Sequence, residues 1–278
     1  MNYSSSSHLL PFHDKNHCIG ELPLLAKLRI AFGLLKNPAA LFLDKLKLRR
    51  HALYETKSGI TFKTRAGTTD INEAIIVLSG KEYPSELLNI SQLDSPVVID
   101  CGGHIGTFTL LVKSLNGSAR VYTIEPLQQN VRLLEENLRL NGIEDVTVIE
   151  KALYSASGEL SLHVNNTDFD GARISSGRDK DGEAISVAAT TLADVLRTHA
   201  IGTVDLLKMD IEGSEYEIVS SSLPVLRGMV KRIVMEYHLT EGHLHGRDEL
   251  VNTLTSGGDF LLIYETKNLL GFRNERLP

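Results

Sequence analysis

From Ser95 onward, short apolar runs alternate with stretches in which apolar residues recur every three or four positions. The runs are Val97–Ile99, Val121–Ile124, Val146–Ile149, Val204–Met209 and Ile233–Met235. Each has the length and continuity of a strand buried on both faces. Between them, Leu127, Val131, Leu134 and Leu138 fall on one helical face. The same reading predicts helices over Ile105–Leu115, Thr191–Thr198, Gly213–Ser222 and Asp248–Thr255. Strands alternating with helices predict an α/β fold with a mostly parallel, doubly wound sheet. A closing strand over Phe260–Tyr264 is part of a final hairpin-like pair, and the expected sheet has seven strands with an antiparallel edge strand. Ser157-Gly158 turns into an extra strand, Glu159–Val164, and the polar, glycine-punctuated Asn165–Gly182 reads as a long loop.

The pattern upstream is different. Leu22–Leu48 is apolar but interrupted by Lys27, Arg29, Lys36, Asp44 and Lys45. A membrane-spanning helix needs roughly 20 nearly uninterrupted apolar residues. The segment therefore reads as two amphipathic helices, with Asn37 capping the second and Pro38 in its first turn. A helical cap on the domain, a substrate-side lid, a homodimer arm and a membrane-surface contact all fit it. Met1–Asn16 is serine-rich and polar, without the charged start and apolar core of a signal peptide, and reads as disordered. Tyr54–Lys63 predicts a hairpin turning at Ser58-Gly59, followed by helices over Ile71–Ser79 and near Ser85. The expected division is a tail with helices (1–50), a hairpin and helical segment (51–95) and one ligand-binding domain (96–278).

Composition narrows the class. Hydrophobic residues make up 42% of the 278 and charged residues 23%, as in ordinary globular domains. A net charge of −6 without a long basic run weighs against a nucleic-acid partner. The two cysteines, Cys18 and Cys101, favour a reduced, cytoplasmic protein, since Cys101 lies inside a predicted loop.

Candidate chemistry gathers at the strand ends, where open α/β sheets bind ligands. The first strand ends in Asp100-Cys101-Gly102-Gly103-His104-Ile105-Gly106, a carboxylate followed by a glycine turn. The second ends in Glu125-Pro126, and Glu125 follows Gly106 by 19 residues. That spacing suits an acid reaching a ribose bound over the first loop. The order is not the dinucleotide G-x-G-x-x-G, and Asp100 would repel a pyrophosphate. It would attract S-adenosylmethionine, which carries an ammonium, a sulfonium and an adenosine. Strand three leads to Lys151-Ala152-Leu153, with Ala152 placed against the cofactor. Strand four presents Lys208, Asp210 and Glu212, and strand five Glu236 and His238.

These residues carry a resemblance. Asp100-x-Gly102-x-x-x-Gly106 with Glu125-Pro126 resembles motif I and its acidic partner in class I S-adenosylmethionine-dependent methyltransferases. The run from Val204 through Lys208, Asp210, Glu212 and Gly213 to Glu215 is similar to the "DLLKxDxEGxE" block of the FkbM family. Asn137 with Asn141, Thr191-Leu192-x-Asp194 and Glu236-Tyr237-His238 match further blocks, as do Arg65-x-Gly67-Thr68-Thr69-Asp70 and Glu82-Tyr83 upstream. The likeness covers roughly residues 54–264. It departs from the family's usual Ala-Asn after the first glycine, where Gly103 and His104 stand.

The resemblance implies a Rossmann-like class I methyltransferase acting on a hydroxyl of a sugar, polyketide or other secondary metabolite. Asp210 then lies near the methionine part of the cofactor, and Glu212 or Glu236 orients the acceptor or the base. His104, at a helix start, is placed to bond the cofactor's carboxylate. An alcohol is a poor nucleophile at neutral pH. His238 is the first candidate for the base, because imidazole titrates near the working pH. Lys208, Asp210 and Glu212 are the alternatives. Asp210, Glu212, Glu236 and His238 also form a donor set for Mg²⁺ or Mn²⁺, kept second to metal-free transfer. Two other functions stand as alternatives: a nicotinamide-dependent oxidoreductase on a similar fold, and a noncatalytic module with a vestigial pocket.

Overall fold

The computed structural model describes residues 24–41, 50–165, 168–174, 183–240, 243 and 245–277. The expected disordered tail, Cys18 and most of the second N-terminal helix lie outside them. The described chain begins with α1 (Leu24–Leu34), the hairpin β1 (His51–Glu55) and β2 (Thr61–Arg65), α2 (Asp70–Leu78) and the short α3 (Ser85–Leu88). The alternating region follows as β3 (Val97–Cys101), α4 (Thr107–Leu115), β4 (Arg120–Ile124), α5 (Gln128–Leu140) and β5 (Val146–Ile149). Four strands come next: β6 (Ala152–Leu153), β7 (Gly158–Asn165), β8 (Asp168–Ile174) and β9 (Glu183–Thr190). The chain closes with α6 (Leu192–Thr198), β10 (Leu206–Met209), α7 (Glu215–Met229), β11 (Arg232–Glu236), α8 (Gly246–Thr255), β12 (Phe260–Glu265) and β13 (Leu269–Asn274).

Seven strands form the main sheet in the order β12-β13-β11-β10-β3-β4-β5. β11, β10, β3, β4 and β5 are mutually parallel, and β13 runs antiparallel to both its neighbours. The antiparallel strand thus sits one place in from the edge. The β12–β13 hairpin folds back and inserts its second strand beside β11, with Met235 opposite Leu270. Alternate residues of the parallel strands feed opposite cores, as period-two side chains must. Val98, Leu206 and Val234 pack with Phe108, Leu111 and Leu138 on one face. Ile99, Leu207 and Ile233 pack with Val195, Leu226 and Leu254 on the other. Helices therefore cover both faces, which is why these strands read as continuous apolar runs. The chain leaves β3 toward β4 on one side and later returns to β10 on the other. The β3/β10 boundary is the topological switch point, where a crevice opens at the carboxyl ends.

The predicted turn at Ser58-Gly59 is present, with Gly59 at φ +97° between β1 and β2. Two side-chain amides join this hairpin to α5. Asn137 accepts from the N–H of Lys63 at 2.7 Å, and Asn141 accepts from that of Thr61 at 2.9 Å. Each also donates to the carbonyl of the same residue, so two asparagines take the place of a strand partner along β2. Asn37 differs from its expected role as a cap. Its side chain donates to Leu53 O and accepts from Glu55 N, both at 3.1 Å, and so pairs with β1.

The Asn165–Gly182 loop is corrected in part. Its middle is β8, and a second sheet of order β6-β9-β7-β8 stands at the mouth of the crevice. The expected strand over Glu159–Val164 is the core of β7. The helix expected to stop at Ser222 continues to Met229 with Pro224 inside it. Proline removes one i→i−4 bond, yet buried Ile218, Val219, Ser222 and Leu226 hold both halves of α7 against the sheet.

Candidate functional site

At the end of β3 the chain turns in the narrow space between β4 and β10. Gly102 adopts φ +81°, and a Cβ there would lie 1.8 Å from the carbonyl oxygen of Asp210. Gly103 meets the opposite neighbour, where a Cβ would lie 2.1 Å from Thr123 Oγ1. Only glycine permits this close approach on both sides. Gly102 lines the crevice, whereas Gly103 and Gly106 are turned toward Thr123 and Leu134 and shape the loop from behind.

Beneath the loop lies a buried ion pair. Asp100 and Lys208 are partners in the β3–β10 register. Asp100 is 0% exposed, accepts from Thr109 Oγ1 at 2.8 Å and lies 3.4 Å from Lys208 Nζ. Lys208, 3% exposed, donates to the Gly102 carbonyl at 2.9 Å and lies 3.6 Å from Asp210. Neither lines the crevice, which corrects the expectation that Asp100 touches a ligand. Lys208 is corrected as a base. Burial opposes its charge, but Asp100 and Asp210 outweigh burial and hold the ammonium protonated. The pair props up the loop.

Glu125, at the tip of β4, lines the crevice with 4% of its surface exposed. Its Oε2 accepts the backbone N–H of His104 at 2.9 Å. Its Oε1 accepts from Leu127 N and Asn130 Nδ2, both at 3.0 Å. Burial pushes its carboxyl above the ordinary value, against the pull of these donors. His104 sits at φ +45°, and its ring is drawn toward the upstream segment. Nε2 lies 2.8 Å from Arg65 Nη2 and 3.3 Å from Asp70 Oδ1. Arg65 grips Asp70 through Nε at 2.9 Å and Nη2 at 2.8 Å, and reaches Asn130 through Nη1 at 2.8 Å. Burial would raise the Asp70 carboxyl, but hydrogen bonds from His104 and Arg65 outweigh it and hold it well below the usual carboxylate range.

The opposite wall is the β10–α7 turn, where Glu212 takes φ +56° and Gly213 φ +102°. Glu215, fully buried at the start of α7, accepts from Ile211 N at 3.2 Å and meets His238 Nδ1 at 3.1 Å. Tyr216 donates its hydroxyl to the His238 carbonyl at 2.8 Å. His238 Nε2 then faces Asp210 Oδ1 at 3.9 Å and Glu212 Oε1 at 3.8 Å. Burial would lower the imidazole pKa, but the Glu215 hydrogen bond and the Glu212 and Asp210 charges outweigh it and raise it to about 10. Glu236 accepts from Asn268 Nδ2, and burial, then Asp210 and Glu82, push its carboxyl up.

The crevice encloses about 130 Å³ and opens to solvent. Five carboxylates line it: Glu73, Glu125, Asp210, Glu212 and Glu236. Among the described residues no lysine or arginine does. Pro126, Ala152, Leu153, Leu160 and Leu162 form an apolar side. Such a site suits a cationic ligand with a flat apolar part and disfavours a pyrophosphate. Of the expected residues, Gly102, His104, Glu125, Pro126, Ala152, Asp210, Glu212, Glu236 and His238 come together here. Glu73, Asn130 and the pair Leu160 and Leu162 were not singled out from sequence. Alternation along the expected extra strand was the available signal for the two leucines. Nothing marked Glu73.

Residues 100–259 match the family described as the methyltransferase FkbM domain. Methyltransferase sdnD of Sordaria araneosa is 26% identical over 184 residues, which are 55% of this chain and 71% of that protein. The FkbM methyltransferase crystal structure from Methylobacillus flagellatus is 14% identical with a TM-score of 0.43, covering 86% of this chain. The chain spans 59% of the length of that structure. The S-adenosylmethionine-dependent methyltransferase structure from Agrobacterium tumefaciens is 14% identical with a TM-score of 0.47, covering 82% of this chain and 71% of its own.

Proposed function

The chain belongs to the FkbM methyltransferase family, and on that premise we propose that it is an S-adenosylmethionine-dependent O-methyltransferase acting on a small hydroxylated molecule. A sugar, a polyketide or another secondary metabolite is the acceptor class. The observation that carries this reading is the crevice itself. It lies at the switch point of the sheet, is rich in carboxylates, and is apolar where an adenine would rest. Gly102 lets the loop pack directly on the Asp210 carbonyl at the edge of this crevice.

The residues fit the cofactor in separate places. Glu125 retains acceptor capacity beyond the three donors it already meets, and would take the ribose hydroxyls. Pro126, Leu160 and Leu162 would flank the adenine. Asp210 and the Gly102 carbonyl side of the loop would face the methionine part, with Lys208 fixing both from below. When bound, S-adenosylmethionine would supply an electrophilic sulfonium methyl; its transfer to the acceptor oxygen, with the thioether sulfur leaving, would give a methyl ether, S-adenosylhomocysteine and a proton released to solvent. The chain's task is to hold that oxygen near 3 Å, in line, with water excluded. Glu212 and Glu236, on the far wall, would accept the acceptor's hydroxyl hydrogen bonds and set its direction. Lys208, buried between Asp100 and Asp210, is not placed to take the proton.

Ligand-dependent melting tests the cofactor. S-adenosylhomocysteine at 100 times its Kd should stabilise the fold by about 2.7 kcal/mol, and NADH should leave Tm unchanged. Transfer of labelled methyl to hydroxylated acceptors, with the product's O–CH₃ identified by mass spectrometry, tests the reaction. Stabilisation by NADH alone would move the reading to an oxidoreductase.

A further inference from the structure

We propose that Asp210, Glu212 and His238 form a binding site for one divalent cation of the Mg²⁺ or Mn²⁺ kind, on the acceptor side of the crevice. Each offers one donor atom, and the three atoms lie within 4.8 Å of one another. No other such group of histidine, cysteine and acidic residues occurs among the described residues. His238 Nε2 is 3.9 Å from Asp210 Oδ1 and 3.8 Å from Glu212 Oε1. Those separations are too long for direct hydrogen bonds. They are short enough for a shared cation to draw the groups together, since two ligands each about 2.1 Å from it lie roughly 3–4 Å apart.

A separate observation concerns the far side of the ring. Nδ1 of His238 meets Glu215 Oε1 at 3.1 Å, and Glu215 is fully buried. Its second oxygen, Oε2, has no hydrogen-bond partner. A metal-ligating histidine characteristically gives its other N–H to a carboxylate, which fixes the tautomer and aims the remaining nitrogen at the metal. Tyr216, bonded to the His238 carbonyl at 2.8 Å, fixes the backbone of the same residue. Asp210 divides its oxygens in the same sense, Oδ2 toward Lys208 at 3.6 Å and Oδ1 toward His238. Two carboxylates and one imidazole are a hard, mostly oxygen donor set. They also leave coordination positions for water or an acceptor hydroxyl. The cation's role in holding that hydroxyl rests on the methyltransferase reading; the binding site itself does not.

The test uses the full chain, stripped with EDTA and titrated with Mn²⁺ while the free-ion EPR signal is followed. S-adenosylhomocysteine binding is measured on the same samples by calorimetry. The wild type should remove one equivalent of Mn²⁺ from the free signal. His238→Ala and Glu212→Gln should lose that capacity, and Glu215→Gln should weaken it about 10–100-fold. An undiminished free signal with wild type, while S-adenosylhomocysteine still binds, would overturn the cation site and leave the methyltransferase reading standing. Equal Mn²⁺ binding by wild type and Glu212→Gln would also overturn it.

Discussion

Glu125 closes a small circuit with His104, Leu127 and Asn130, and it is the acid proposed to meet a ribose. Glu125→Ala should weaken S-adenosylhomocysteine binding by about 1–3 kcal/mol in calorimetry, the worth of a charged hydrogen bond. Unchanged affinity would remove its ribose role. Asp70 acts at a distance. Its pKa is held below the ordinary 3.8 by His104 and Arg65. A depressed carboxyl stabilises the fold fully above the unfolded pKa, and that stability is lost as pH falls through the folded value. Asp70→Asn should therefore destabilise the protein at pH 7, by about 3–5 kcal/mol for a broken buried pair. The deficit should shrink as pH drops below 4. Urea titrations at several pH values measure this, and a deficit that does not change with pH would contradict it.

Among the elements, the β2–α5 junction shows how local chemistry carries the upstream hairpin to the site. Asn137 makes its bonds while fully buried, so Asn137→Ala strands backbone groups of Lys63 as well as deleting contacts. We expect a loss of about 1–3 kcal/mol in chemical denaturation, and weaker cofactor binding because Arg65, at the end of β2, holds the His104 loop. Loss of stability with cofactor affinity intact would uncouple the two. The strands of the parallel sheet were legible in sequence because burial on both faces leaves unbroken apolar runs. So were the glycine turn and the β1–β2 hairpin, each of which depends on a residue type that a position demands. β8 and β9 were not legible. Their pairing lies in a small, partly exposed sheet, where a strand needs no apolar run. Asp100 and Lys208 were legible as charges at strand ends, but whether a side chain points up into a crevice or down beneath a loop is decided by register. Asp210, Glu212 and His238 were legible together as strand-end residues, whereas the buried Glu215 behind the imidazole follows from the turn into α7.

For the whole molecule, charge and topology point the same way. The chain's net charge of −6 is concentrated in function at a crevice lined by five carboxylates, a poor seat for a phosphate chain and a good one for a sulfonium and an ammonium. Among the described residues no helix is long and apolar enough to cross a membrane. The crevice is held from below by the Asp100–Lys208 pair, from one side by the Arg65–Asp70–His104 cluster and from the other by Glu215 and Tyr216. Its walls are thus fixed before any ligand arrives, and binding need order little. The most direct measurement is a crystal structure with S-adenosylhomocysteine. The account predicts the nucleoside over the Gly102 turn, its ribose on Glu125 and its adenine against Leu160 and Leu162; density for the ligand elsewhere, with this crevice filled only by water, would contradict it.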